Sequence, residues 1–165
     1  MRAEIYWVQR PGPGRVAIMP RPRGGDWLEE EIRSLRGEGV EVLVSLLESH
    51  EVEELGLERE PEQSGKAGME FLSHPIPDHG TPESLEAATS LILSLEERLR
   101  RGKSIAVHCR AGIGRSATIA AALLIEHGVP IPETLRLLGE ARGFPVPETA
   151  EQFRWLEEFA ARGSR

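Results

Sequence analysis

A chain of 165 residues, 39% hydrophobic and 28% charged, has the size and balance of one soluble globular domain spanning 1–165. Its formal charge of −7 disfavours general attraction to nucleic acid, and its longest apolar run, Ile119 to Ile125, is far short of the ~20 residues that span a bilayer. A lone cysteine forms no internal disulfide and no metal-ligand cluster, which leaves a free thiol that is either core filler or chemistry.

In chain order, the opening "MRAEIYWVQRPGPG" meets charge and proline before any export-like apolar core develops, so a cytoplasmic location is expected. "RVAIMP" and "VEVLVSLL" read as strands, the second apolar on both faces. Between them "DWLEEEIRSLRGEG" reads as a helix, with Asp26 as N-cap, Glu29 as its capping-box partner and Gly37 or Gly39 as the stop. The polar stretch 58–68 is expected to be an exposed loop or short helix, followed by strand "MEFLSHPI" and loop "PDHGTPES". Leu85, Ala88, Ile92, Leu95 and Leu99 then form a helical apolar stripe, with Thr81-Pro82 as cap and first turn. "KSIAVH" is a buried strand and "RSATIAAALLIEHG" a strong helix. Two more helices follow, each opened by proline and ended by glycine. Alternating strands and helices predict an α/β fold, with a mostly parallel sheet of four to five strands flanked by helices on both faces.

The lone cysteine sits in "VHCRAGIGRS", between a buried strand and a helix, where backbone N–H groups can converge on an anion. Gly112 and Gly114 permit the tight turning that would aim the amides of Arg110, Ala111, Gly112, Ile113, Gly114, Arg115 and Ser116 at one tetrahedral oxyanion. Arg115 adds a planar fork for two of its oxygens, and the surrounding positive potential favours the Cys109 thiolate. Displacing an alkoxide or phenolate from phosphorus also needs a proton donor. Asp78, 31 positions before Cys109 in a pre-helical turn, is one of two aspartates in a chain with 25 glutamates, and it is the candidate acid. An Asx-turn is the plainer explanation of that residue.

His108-Cys109, five residues, then Arg115-Ser116 resembles the signature of the cysteine-dependent protein tyrosine phosphatase superfamily. The compact length and the Asp78-to-Cys109 spacing resemble its small, atypical dual-specificity members. The resemblance implies metal-independent hydrolysis of phosphotyrosine, and also phosphoserine and phosphothreonine, without a cofactor. It further implies a phosphocysteine on Cys109, phosphoryl clamping by Arg115 and proton transfer by Asp78. Ser116 would assist thiolate departure, and His108 would orient the loop and tune the thiol. Gln152 resembles the glutamine that positions hydrolytic water in some members, with a solvated surface residue as the alternative. The implied partners are a phosphorylated protein or small aryl phosphate, with phosphate or another oxyanion in the loop. The loop interior "RAGI" lacks the lysines of phosphoinositide-directed relatives. A phosphatase of phosphoinositides or nucleotides, a non-catalytic phosphate binder and a sulfur transferase are the competing readings.

Outside the loop, His74 and His79 lack any metal-ligand spacing, so no metal is expected. The G-K-S at Gly102 to Ser104 imitates a nucleotide-binding loop but runs into a strand instead of a helix. Arg15, Arg21 and Arg23 are candidates for a basic rim around a phosphorylated substrate, or else are solvated surface residues.

Overall fold

The computed structural model describes residues 3–162. Its five strands form one sheet in the order β1-β2-β5-β3-β4. Strands β2 (Arg15–Met19), β5 (Ser104–His108), β3 (Val42–Ser45) and β4 (Glu70–Ser73) run parallel. A two-residue edge strand, β1 (Tyr6–Trp7), pairs antiparallel with β2 and was not expected from the sequence, being too short to show a period. Every residue of β3 and β5 is buried. Strands covered on both faces need no polar side, which is why they read as unbroken apolar runs.

Alternate strand residues feed two cores. Val16, Ile18, Val44, Ile105 and Val107 face one layer, made by α4 (Leu85–Arg100), α5 (Arg115–Glu126), α6 (Ile131–Arg142) and α7 (Ala150–Ala161). Ala17, Met19, Leu43 and Ala106 face the other, which includes α1 (Leu28–Gly37), α2 (Ser49–Glu54) and α3 (Glu60–Lys66). Helix α5 is enclosed almost all round, its alanines Ala117, Ala120, Ala121 and Ala122 fully buried. Small side chains let it lie close under the sheet with α4 and α7 packed beside it. No helix among the described residues is long and apolar enough to cross a membrane.

Several local expectations are corrected. Asp26 is not a helix cap: it lies in a 3-10 turn, Gly25–Trp27, and α1 begins after it with no side-chain cap. The reason is tertiary, because Gly24 is pressed against the Leu55 carbonyl and Gly25 N–H donates to the Gly56 carbonyl at 2.9 Å. Ser84, not Thr81, caps α4, accepting from Ala87 N–H at 3.0 Å. Thr149, not a proline, caps α7, in a reciprocal capping box with Gln152. Stretch 58–68 takes the short-helix alternative, as α3, but is not fully exposed, since α3 buries Glu60, Gln63 and Ser64. Helix α2 was not anticipated at all. The glycine expected to end α7, Gly163, lies outside the described residues.

Parallel strands direct their carboxyl ends to one edge of the sheet, the usual site of ligand binding in open α/β folds. Met19, Ser45 and His108 stand side by side at that edge. The chain leaving β3 leads into α2, the chain leaving β4 leads to Asp78, and the chain leaving β5 is the cysteine loop.

Candidate active site

Loop 109–114 leaves β5 and enters α5 through Gly114, which holds the N-cap position. Its first four carbonyls are all engaged from outside. His108 Nδ1 lies 3.2 Å from the Cys109 carbonyl, Arg21 N–H donates to the Arg110 carbonyl at 3.2 Å, and Arg142 donates through Nη2 to Ala111 at 3.3 Å and through Nε to Gly112 at 3.1 Å. Across a trans peptide the C=O and the next N–H point in opposite directions, so tying these carbonyls outward turns the amides of residues 110–113 inward. Gly112 N–H accordingly donates to Cys109 Sγ at 3.3 Å. Gly112 has φ 75°, and a Cβ there would come within 2.6 Å of the Pro20 nitrogen, so glycine is required.

Cys109 is 3% exposed, with its Sγ 3.3 Å from the Ser116 hydroxyl. Arg115, 2% exposed, is among the largest fully enclosed side chains. Its Nη1 donates to Glu51 Oε2 at 2.8 Å and to the Ile76 carbonyl at 2.9 Å, while its Nη2 donates to Glu51 Oε1 at 2.9 Å and to Asp78 Oδ1 at 3.0 Å. Burial alone would weaken its hold on the proton, but hydrogen bonding to Glu51 and the negative neighbours Cys109, Glu51 and Asp78 outweigh it and raise the pKa. For Glu51, burial pushes upward, yet Arg115, the Glu48 amide and Arg110 bring it below the ordinary carboxylate value.

Asp78 Oδ1 also accepts from the His79 amide at 3.0 Å, leaving Oδ2 turned from Arg115 and 3.7 Å from His79 Nε2. The turn is closed by Gly80 N–H donating to the Pro77 carbonyl at 2.8 Å and not by an Asx-turn, while Asp78 faces the cavity through its contact with Arg115. His79 sits at φ 62° and its ring bonds Glu148 across the cavity mouth. The cavity itself, about 140 Å³, is lined by Asp78, His79, Cys109, Arg110, Ala111, Ile113, Gly114, Arg115 and Glu148.

Gln152 is not in this lining. It is fully buried, its Oε1 accepts from the Glu148 and Thr149 amides at 3.0 Å each, and its Nε2 donates to the Gly80 carbonyl at 3.1 Å. Gln152 is thus neither a surface residue nor aimed into the cavity; it ties α7 to the Asp78 loop, and the polar side chain that α7's approach presents to the cavity is Glu148. Of the proposed basic rim, Arg15 stands at the opposite end of β2, stacked 3.8 Å from the Trp7 ring, and Arg23 is paired with Glu31. Arg21 alone adjoins the loop, through its backbone.

Glu51, Glu60, Arg142 and Glu148 were missed. All four lie far from the signature in sequence, and a charged residue on a short polar helix gives no sign that it turns inward. Among the described residues one triad, Glu48, His50 and Glu51, brings three possible ligand atoms within 4.8 Å of one another, but both Glu51 oxygens are already engaged by Arg115.

Histidine titration provides a check on this geometry. Hydrogen bonding to Glu148, then the charges of Asp78 and Glu148, hold His79 above its ordinary value of 6.5, while burial lowers His74. In an NMR titration His79 is expected to change charge above 6.5 and His74 below it, so the His79–Glu148 ion pair persists below His79's raised value and is lost as pH rises through it. The reverse order would contradict the placement of His79.

Residues 17–129 match the family described as "Polymorphic toxin system, DSP-PTPase phosphatase". The chain belongs to this dual-specificity, cysteine-dependent phosphatase family. Cyclin-dependent kinase inhibitor 3 of Rattus norvegicus is 32% identical over 88 residues, a match that takes in 52% of the chain and 41% of that relative's length. The chain therefore spans less than half of it. The crystal structure of Tk-PTP in the active form is 30% identical with a TM-score of 0.74, over 95% of this chain and 97% of that one. Kinase associated phosphatase, solved with its catalytic site cysteine replaced by serine, shares the fold at a TM-score of 0.84 and 20% identity, covering 99% and 97% of the two chains. For a DSP-PTPase phosphatase the grouping of Cys109, Arg115 and Asp78 around one cavity gives the family signature a concrete geometry.

Proposed function

We propose that this chain hydrolyses phosphomonoesters without a metal, through a phosphocysteine on Cys109, and acts on phosphotyrosine and also on phosphoserine or phosphothreonine in proteins. The observation that carries this reading is the cavity in which inward-turned amides, the Arg115 fork, the Cys109 thiol and the Asp78 carboxyl meet. In the first step the thiolate attacks phosphorus in line. The S–P bond forms as the P–O ester bond breaks, and Asp78 gives its proton to the leaving oxygen through Oδ2, the oxygen that does not accept from Arg115. In the second step Asp78 takes a proton from water, the water oxygen bonds phosphorus, and the S–P bond breaks as the Ser116 hydroxyl donates to the departing thiolate. Phosphate is released and the thiolate returns.

Charges at the mouth favour a single phosphoryl group on a peptide over a polyphosphorylated lipid or nucleotide. Glu148 stands there, and Arg110, a half-buried arginine of the lining, is already paired with Glu54 at 2.7 Å. A nucleophilic thiol needs a reducing compartment, which supports a cytoplasmic location.

The test is hydrolysis of an aryl phosphate in excess chelator, followed by phosphotyrosine, phosphoserine and phosphothreonine peptides and a phosphoinositide. Asp78→Asn is expected to lower kcat at least about 100-fold on peptides with little change in KM, because the acid acts only in the transition state. Inactivity of the wild type on every ester, or an Asp78→Asn enzyme as fast as wild type, would remove this reading.

A further inference from the structure

Glu60 opens α3 within a stretch that has no active-site character in sequence, yet it is 1% exposed and its Oε2 lies 2.6 Å from Nε2 of His108, itself fully buried. The other ring nitrogen, Nδ1, faces the Cys109 carbonyl at 3.2 Å. A carbonyl oxygen can only accept, so Nδ1 carries a hydrogen, and a second proton is then held between Nε2 and the Glu60 carboxyl. Two arrangements satisfy these contacts: an imidazolium donating to a carboxylate, or a neutral ring accepting from a protonated Glu60. Either way the 2.6 Å contact between two fully enclosed partners fixes the ring, with Nδ1–H aimed at the Cys109 carbonyl.

We propose that Glu60 is a positioning residue for the nucleophile: its carboxyl shares a proton with Nε2 and so fixes the His108 ring with Nδ1–H anchoring the Cys109 carbonyl outside the cradle. The anchored carbonyl turns the Arg110 amide inward, as argued for the rest of the loop. The strand neighbours of His108, Met19 and Ser45, carry no charge. The other charges around the thiol are Arg115 from α5, its partners Glu51 from α2 and Asp78, with Arg110 beside them, His79 and Glu148 at the cavity mouth.

Cys109 is the chain's single cysteine, so its alkylation by iodoacetamide reads the nucleophile with no substrate present. E60L, folded by circular dichroism, is expected to alkylate about ten-fold more slowly than wild type at neutral pH, because a ring that is no longer held releases the Cys109 carbonyl and with it the inward Arg110 amide. E60D is expected to recover most of the loss, and E62Q, on the exposed side of the same helix, to match wild type. A leucine keeps the bulk of Glu60 without its hydrogen bond, so an E60L rate identical to wild type would overturn the proposal. Should E60L fail to fold, the ¹⁵N spectrum of wild-type His108 decides: a hydrogen on Nδ1 is expected, and a bare Nδ1 overturns it. The proposal rests on Cys109 being the phosphatase nucleophile, but alkylation reports the thiol and not phosphate hydrolysis, so failure of either idea is seen separately.

Discussion

Cys109→Ser is expected to lose at least about 10⁴-fold in aryl-phosphate turnover while still binding inorganic phosphate within a few-fold of wild type. The two halves follow from different parts of the site. Turnover needs a nucleophile that is ionised near neutral pH, and a serine hydroxyl in the same place stays protonated and attacks poorly. Binding needs inward amides and the Arg115 fork, and the contacts holding those in place, from Arg21, Arg142 and Glu51, do not involve the sulfur. Steady-state kinetics with excess chelator measure the first and calorimetry with phosphate the second. Hydrolysis that survives the substitution would mean that the thiol is not the nucleophile.

Glu51→Gln is expected to cost about 3–5 kcal/mol of stability and about 100-fold in kcat/KM. Glu51 and Arg115 are each 2% exposed and meet through two hydrogen bonds, at 2.8 and 2.9 Å. Removing the carboxylate leaves a buried guanidinium with half its compensation and turns an amide N–H₂ toward it. The fork then loses the aim that directs it at phosphate. Urea unfolding measures the stability term, and the wild type's own acid response gives a second reading. Because the folded Glu51 value lies below the ordinary 4.5, its contribution is present above that range and is lost as pH falls through the depressed value. Glu51→Gln should therefore lose stability less steeply than wild type in that acid window. An unchanged stability and an unchanged acid limb together would show the ion pair to be inert.

The contrast between Glu51 and Cys109 explains what could be read along the chain. Cys109, the loop glycines, Arg115 and Ser116 are consecutive or nearly so, and their spacing carries the geometry of a turn between strand and helix. The inner strands β2, β3 and β5 were legible for a similar reason: burial on both faces leaves apolar runs such as the "IAV" of β5, whereas the edge strand β4 showed itself only by its half-buried Phe71 and Leu72. Helix α2, six residues of which five are polar or charged, has no such period, and nothing in "SHEVEE" separates the buried Glu51 from the exposed glutamates beside it. Gln152 shows the same limit from the other direction. Its helix and its position near the site were anticipated, but its amide is consumed by a capping box and by the Gly80 carbonyl.

By itself, the amino-acid sequence determined the α/β layering, the phosphate loop with its thiol, and an acid upstream, because each depends on residues close together or on a repeating pattern of burial. Tertiary structure alone decided which charges support that loop. Glu51 and Glu60 come from α2 and α3, which follow β3, while Arg142 ends α6 and Glu148 precedes α7; they gather there because the parallel sheet brings its carboxyl-end connections to one edge, because α6 and α7 pack beside α5, and because a buried charge such as Arg115 must find its opposite wherever the fold provides it.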